Sequence, residues 1–370
     1  MIRILHYIGL LEFGGSQSFV MEIYRKIDRS KIQFDFVTFP NQKDGFYKEI
    51  IDMGGMVYEC PQYNGKNHFK FIKWWKDFFA FHKEYKVSHI HVRSVASLII
   101  PIIHKFGGYA IVHSHSISNG RNFSAIIKKI MQLPIRYKAD YMLACSEEAG
   151  KWLYGKNIVK KDNYKVIKNS IDAKRFSYDE NKRDIVRQEL KIEDKFVLGH
   201  VGRMTEPKNH KFLLRVFAKV LKEREDAVLL LVGDGELKEE IEKEARVMQI
   251  HQNIIFAGNR SNTEDYYQAM DVFIFPSLWE GLGIVLIEAQ VSGLPCIISE
   301  RIPQEVDYGT GLIRILNLDD DIKNWSDAII NCSISKRASR LEATIEAGYD
   351  ISSNVAEMEQ IYYSMYENAR

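Results

Sequence analysis

Short apolar runs alternate with amphipathic stretches along most of the chain. Runs at residues 2–8, 34–39, 56–60, 89–92, 110–113, 141–145 and 165–167 have the length and β-branched or aromatic content of buried strands. Helix-period patterns fill the intervals, as at 16–27 and 68–85. At 170–194 the alternation breaks into a charged stretch that includes Asp179-Glu-Asn-Lys-Arg-Asp184. It resumes with strands predicted at 196–201, 227–232, 254–257, 272–276 and 296–299, and helices at 210–224 and 235–248. Residues 349–370 carry Val355, Met358, Ile361, Tyr362 and Met365 at helical spacing, with no strand after them. Strand–helix alternation of this kind predicts βαβ units and parallel sheets. The break places a domain boundary near 170–174, and a cleft between two such domains is the expected ligand site.

At 370 residues and 46% hydrophobic content, the chain has material for two cores. The 51 Lys and Arg nearly balance the 49 Asp and Glu, so no net field favours nucleic acid. Cys60, Cys145, Cys296 and Cys332 lie far apart in sequence, which predicts reduced thiols and no thiolate metal cluster. The first residues read as a strand that soon reaches Glu12 and Gly14-Gly15, not as a signal peptide. No apolar run is long enough to span a bilayer. The expectation is a cytoplasmic protein, with any membrane contact peripheral.

Candidate chemistry sits where predicted strands end. After the strand at 272–276 comes Glu280-Gly-Leu-Gly-Ile-Val-Leu-Ile-Glu288. Its glycines permit close backbone approach and leave amides at a helix start, which attracts anions. Glu280 falls on the loop and Glu288 more than one turn into the helix. Two acceptor-only carboxylates so placed suit sugar and ribose hydroxyls, and equally a capped helix with one solvated glutamate. After the strand at 196–201, Gly202-Arg203-Met-Thr-Glu-Pro207-Lys208 supplies two cations fit to clamp a diphosphate, or simply two solvated loop cations. Gly14-Gly15-Ser16 and Val232-Gly-Asp-Gly235 are glycine turns after strands, and the first βα turn has no G-x-G-x-x-G fingerprint, which counts against NAD. A basic, aromatic stretch at 66–86 mixes six lysines with Phe69, Phe71, Trp74, Trp75, Phe78, Phe79 and Phe81. It predicts a helix burying Phe71, Trp75, Phe78 and His82, with Trp74 and Phe81 left over for an anionic membrane surface.

Taken together, Gly202-Arg-Met-Thr-Glu-Pro-Lys208, Val232-Gly-Asp-Gly235, Phe275-Pro-Ser277 and Glu280-x7-Glu288-Ala-Gln-x-x-Gly293-Leu-Pro295 resemble, in order, the GT-B glycosyltransferases of family 4, the group 1 type. The resemblance covers nearly the whole chain and is nearest to bacterial exopolysaccharide (biofilm matrix) and capsule glycosyltransferases. It implies an α/β fold of two Rossmann-like parallel-sheet domains facing across a cleft. Residues 1–172 would form an acceptor-binding domain and 173–352 a nucleotide-sugar-binding domain, with 353–370 packing back on the first. The activity implied is retaining transfer from a nucleotide-sugar, usually UDP-linked, to a lipid-linked oligosaccharide, with no cofactor and no essential metal. Arg203 and Lys208, with Gly202, map to the donor phosphates, Glu280 to the donor sugar and Glu288 to the ribose. Gly15 maps to the phosphate, the Leu282 and Gly283 amides to the sugar, and Arg260 to the base. His115 matches the family's histidine near the reacting carbon, with His113 as the rival. Ser170 in Lys168-Asn-Ser-Ile-Asp172 replaces the glycine of the family's hinge, which puts the hinge geometry in question. A nucleotide-sugar epimerase and a non-catalytic subunit of a polysaccharide assembly complex are the competing classes.

Overall fold

The apolar runs form two sheets in the computed structural model, which describes residues 1–12, 14–115, 123–332 and 337–369. In the first, β1 (Ile2–Gly9), β2 (Ile32–Thr38), β3 (Val57–Glu59), β4 (Val87–Ile90), β5 (Tyr109–Ser114), β6 (Tyr141–Ala144) and β7 (Tyr164–Val166) lie in the order β3-β2-β1-β4-β5-β6-β7. In the second, β8 (Phe196–Val201), β9 (Ala227–Val232), β10 (Ile254–Gly258), β11 (Val272–Phe275), β12 (Cys296–Ser299) and β13 (Ile313–Leu316) lie in the order β10-β9-β8-β11-β12-β13. Neighbouring strands pair in parallel. Each order reverses direction once, between β1 and β4 and between β8 and β11. In an open parallel sheet the ligand crevice lies at the carboxyl ends flanking that reversal.

Helices cover both faces of each sheet, so the strands are apolar on both sides. All residues of β2, β8 and β9 are buried. The chain divides into two compact units, Met1–Ser170 together with the chain from Ile351 on, and Ile171–Asp350. The helix Ile351–Asn368 buries Ile351, Val355, Met358, Ile361 and Tyr362 in the core of the first unit, against Phe34, Phe36 and Val87.

Three sequence expectations change. The charged stretch at 170–194 is not a break throughout, since Glu180–Leu190 is a helix whose first turn is capped by the Asp179 side chain accepting from the Lys182 amide. Its Arg187 is buried and donates to the carbonyls of Ala269 and Glu193, while Arg183 donates to those of Gln268 and Met270. These guanidiniums do the work that apolar side chains do elsewhere. At Ser170 no left-handed backbone is required, because among the described residues the non-glycine positions with positive φ are Asn41, Lys191, Asn209 and Gln249. Its hydroxyl instead accepts from Asn354 Nδ2 at 2.6 Å, and the same amide donates to Lys168 O at 2.7 Å. In the helix His68–Phe81, Phe71, Trp75, Phe78 and also Phe79 are buried, while His82 is only half-buried. Trp74 is not surplus, since it stacks on Phe78 with ring centroids 5.1 Å apart. Phe69 and Phe81 stay exposed.

Candidate functional site

In the second unit, loops from four adjacent strands interlock at their carboxyl ends. The Gly202 amide donates to Val232 O at 2.9 Å and the Met204 amide to Asp234 O at 2.9 Å, which joins the loop after β8 to the loop after β9. Gly233 (φ +134°) is required there, because a Cβ would lie 2.1 Å from Gly202 O. The Gly233 amide reaches Gly258 O after β10 at 2.9 Å. Across the strand-order reversal, the Leu278 amide donates to Pro207 O at 2.8 Å and Asn209 Nδ2 to Pro276 O at 3.1 Å. Asn209 adopts the left-handed conformation (φ 55°) that lets the short turn Glu206–Lys208 run straight into the helix His210–Glu223.

These clamps bring together two residues that lie 72 positions apart in sequence. Lys208 Nζ sits 2.5 Å from Glu280 Oε1 and 4.8 Å from the centre of the Phe275 ring. The two side chains are only 17% and 13% exposed, so the pair is largely shielded from solvent. Sequence alone gave Lys208 and Glu280 separate roles; the fold makes them partners.

Glu280 is followed by exposed Gly281, half-buried Leu282 and buried Gly283. Gly283 (φ 81°) turns the chain into the helix Ile284–Val291, whose first turn has no acidic residue and no side-chain cap. Glu288 on this helix accepts from the Tyr267 hydroxyl at 2.7 Å. Tyr267 is fully buried, and burial together with the Glu288 charge holds its phenol protonated. It therefore acts as a fixed donor that orients the carboxylate. Arg203 is exposed on its loop. Arg260, after β10, is also exposed and folds back on its own loop, with Nε donating to Ala257 O at 2.8 Å and the guanidinium 5.6 Å from the Tyr266 ring.

In the first unit, Gly15 opens the helix Gly15–Lys26 after β1. Among the described residues a Cβ at Gly15 would meet nothing within 4 Å, so no contact among them explains the glycine. The histidines belong to a larger cluster. His89 and His91 on and after β4, and His113 and His115 on and after β5, alternate along their strands and so share one face with His6 of β1. His6 Nδ1 lies 3.0 Å from His91 Nε2, and His91 Nδ1 lies 2.7 Å from His115 Nε2. His89 Nδ1 lies 2.8 Å from the Tyr362 hydroxyl. Burial lowers the pKa of all five, His6 and His115 to about 3, with the charge of Arg93 adding to the effect at His115. The rings are therefore neutral at pH 7, one nitrogen of each a donor and the other an acceptor.

Of the two rival histidines, His113 is fully buried with neither ring nitrogen bonded, whereas His115 is half-buried just past the end of β5. Two groups bring ligand atoms within 4.8 Å of one another and could hold a metal: His6 with His89 and His91, and His91 with His113 and His115. Their closest nitrogen pairs have hydrogen-bond separations. Sequence reasoning missed Tyr267, Arg93 and the three histidines upstream. The His89-x-His91 and His113-x-His115 alternation was the available signal.

Comparison with known proteins gives a consistent result. Residues 195–333 match the family model described as "Glycosyl transferases group 1". EpsF of Bacillus subtilis (strain 168), a glycosyltransferase by name, is 32% identical over 369 residues, covering 97% of this chain and 96% of that protein. An Escherichia coli UDP-Gal:alpha-D-GlcNAc-diphosphoundecaprenol alpha-1,3-galactosyltransferase is 29% identical over 217 residues, covering 55% of this chain and 54% of that protein. Among solved structures, Anabaena Alr3699/HepE in complex with UDP-glucose superposes with a TM-score of 0.78 over 98% of this chain and 100% of that one, at 17% identity. That likeness establishes the fold, two Rossmann-like parallel-sheet units of the GT-B kind.

Proposed function

The chain belongs to the group 1 glycosyltransferases, and from that premise we propose that it transfers a sugar from a UDP-linked donor to a lipid-linked oligosaccharide, with retention, in exopolysaccharide or capsule synthesis. The Lys208–Glu280 pair carries this reading. A cation and a carboxylate, shielded together beside an uncapped helix start, suit a ligand with a diphosphate next to a polyhydroxylated ring. On this reading the diphosphate takes Lys208 from Glu280, and the freed carboxylate accepts from sugar hydroxyls. Arg203 joins Lys208 in stabilising charge on the leaving diphosphate, and Gly202 lets the backbone approach. Leu282 and Gly283 offer amides to the sugar, Tyr267 holds Glu288 toward the ribose, and Arg260 lies by the base.

In the other unit Gly15 is the candidate for a phosphate contact. His115, neutral and with its Nε2 engaged by His91, is the candidate for orienting the sugar. Among the described residues these contacts place no carboxylate as a nucleophile, and the reading taken is attack by the acceptor hydroxyl on the face the diphosphate leaves. The donor and the lipid-linked acceptor are supported by what the Anabaena and Escherichia coli proteins are named for. Polysaccharide synthesis is supported by what a Staphylococcus aureus relative is named for, capsular polysaccharide biosynthesis. The transfer is proposed to need no cofactor and no metal, and to take place at the inner face of the cell membrane.

The test is a donor screen. Slow hydrolysis and thermal shift should single out a UDP-sugar from GDP- and ADP-sugars, and NMR of the transfer product should show the donor's anomeric configuration. A GDP- or ADP-sugar preference, or an inverted product, would refute the corresponding part.

A further inference from the structure

The helix Phe123–Gln132 and the short helix Ile135–Lys138 that follows it are apolar on two sides. Ile135 is fully buried and Met131 packs with it in the core of the first unit. Ile126 and Ile130 lie one turn apart on the first helix, Leu133 is in the turn that follows and Tyr137 is on the second helix. All four point outward, Ile130 being 60% and Tyr137 80% exposed. Beside them stand the exposed Lys128, Lys129 and Lys138, with Arg136 half-buried, and no acidic residue occurs between Phe123 and Asp140. A surface helix normally turns its polar side to water. This one turns an apolar stripe flanked by three exposed lysines.

We propose that this stripe docks the protein on an anionic lipid surface, the isoleucines, leucine and tyrosine entering the headgroup boundary while the cations pair with lipid phosphates. Charge selects this occupant over a second copy of the chain. A two-fold contact through the stripe would set its three exposed lysines against their own copies, which is unfavourable. The inference rests on the lipid-linked acceptor proposed above and names the surface that would deliver it. On the aromatic helix His68–Phe81, Trp74, Trp75, Phe78 and Phe79 are engaged in packing, and Phe69 and Phe81 are exposed.

The experiment is flotation of the tag-free full chain with phosphatidylglycerol-containing vesicles and with pure phosphatidylcholine vesicles. Ile130→Glu and the double variant Lys128→Glu/Lys129→Glu are run alongside. The expected result is binding to the anionic vesicles that weakens with salt and falls on the order of tenfold in each variant. Thermal melts and acceptor-free donor hydrolysis should be unchanged in the variants, because these residues are exposed and outside the proposed donor site. Absence of binding by the wild type, or full binding by both variants, would overturn the proposal. So would a dimer in light scattering that Ile130→Glu dissociates. Vesicle binding without hydrolysis of any nucleotide-sugar would instead defeat the donor reading and leave the surface standing.

Discussion

At the ends of β8 and β11 a lysine and a glutamate meet at 2.5 Å, whereas at the ends of β1, β4 and β5 five uncharged imidazoles pack together. The strand order around the two places is the same. One edge keeps formal charges and holds them by backbone clamps between loops. The other excludes charge by burying groups that could carry it. Shared topology thus fixes where chemistry gathers, and the side chains decide its kind.

The comparison breaks first at the charged edge. Lys208→Ala should lower transfer kcat/KM by roughly 10²–10³, the size expected when a charge-stabilising group is lost. It also leaves Glu280 shielded without this partner. Unchanged turnover at saturating donor would remove Lys208 from the reaction.

Acid should test the neutral edge. The folded state disfavours protonation of each ring, while the unfolded chain protonates near the ordinary value of 6.5. Between 6.5 and about 3 the unfolded chain therefore binds more protons, and stability present above 6.5 is lost as pH falls. Each ring contributes at most about 1.4 kcal/mol per pH unit. The melting temperature should drop by roughly 5 °C or more between about pH 7 and pH 5. A flat profile would mean the rings are accessible to water and charge freely.

Two glycines sharpen the contrast. Gly233→Ala should destabilise the second unit by about 1–3 kcal/mol, since its Cβ would collide with Gly202 O and its φ is positive. Gly15→Ala should leave the melting temperature unchanged, because its Cβ meets no described residue within 4 Å, yet slow transfer if a phosphate needs that space. Loss of stability in Gly15→Ala would make it a structural glycine. The smallest effect is expected from EDTA, which should leave the transfer rate unchanged; a loss restored by a divalent cation would show that the transfer is metal-dependent.

Much of this was legible in the chain. Strands buried on both faces read as apolar runs, and 196–201, 227–232 and 296–299 were placed at their observed bounds. The edge strand β13 was missed because Arg314 and Ile315 are exposed and its ends half-buried, so it forms no apolar run. The helix Glu180–Leu190 was missed because its arginines bond to carbonyls far away in sequence. The loops carrying Lys208 and Glu280 were legible as chemistry, but their pairing depends on the adjacency of β8 and β11. Likewise His6 joins His89 only through strand register, which local pattern does not encode.

The return of Ile351–Asn368 to the first unit has a consequence for synthesis. Residues 171–350 can condense as they leave the ribosome. The first unit must wait for a helix made about 180 residues later, some 10–40 s at the usual ~5–20 residues per second. During that interval Phe34 and the imidazoles of His6 and His89 lack Tyr362 as a cover. The nascent chain thus carries a sheet face covered only in part, by the helix Gly15–Lys26, until translation delivers the last helix.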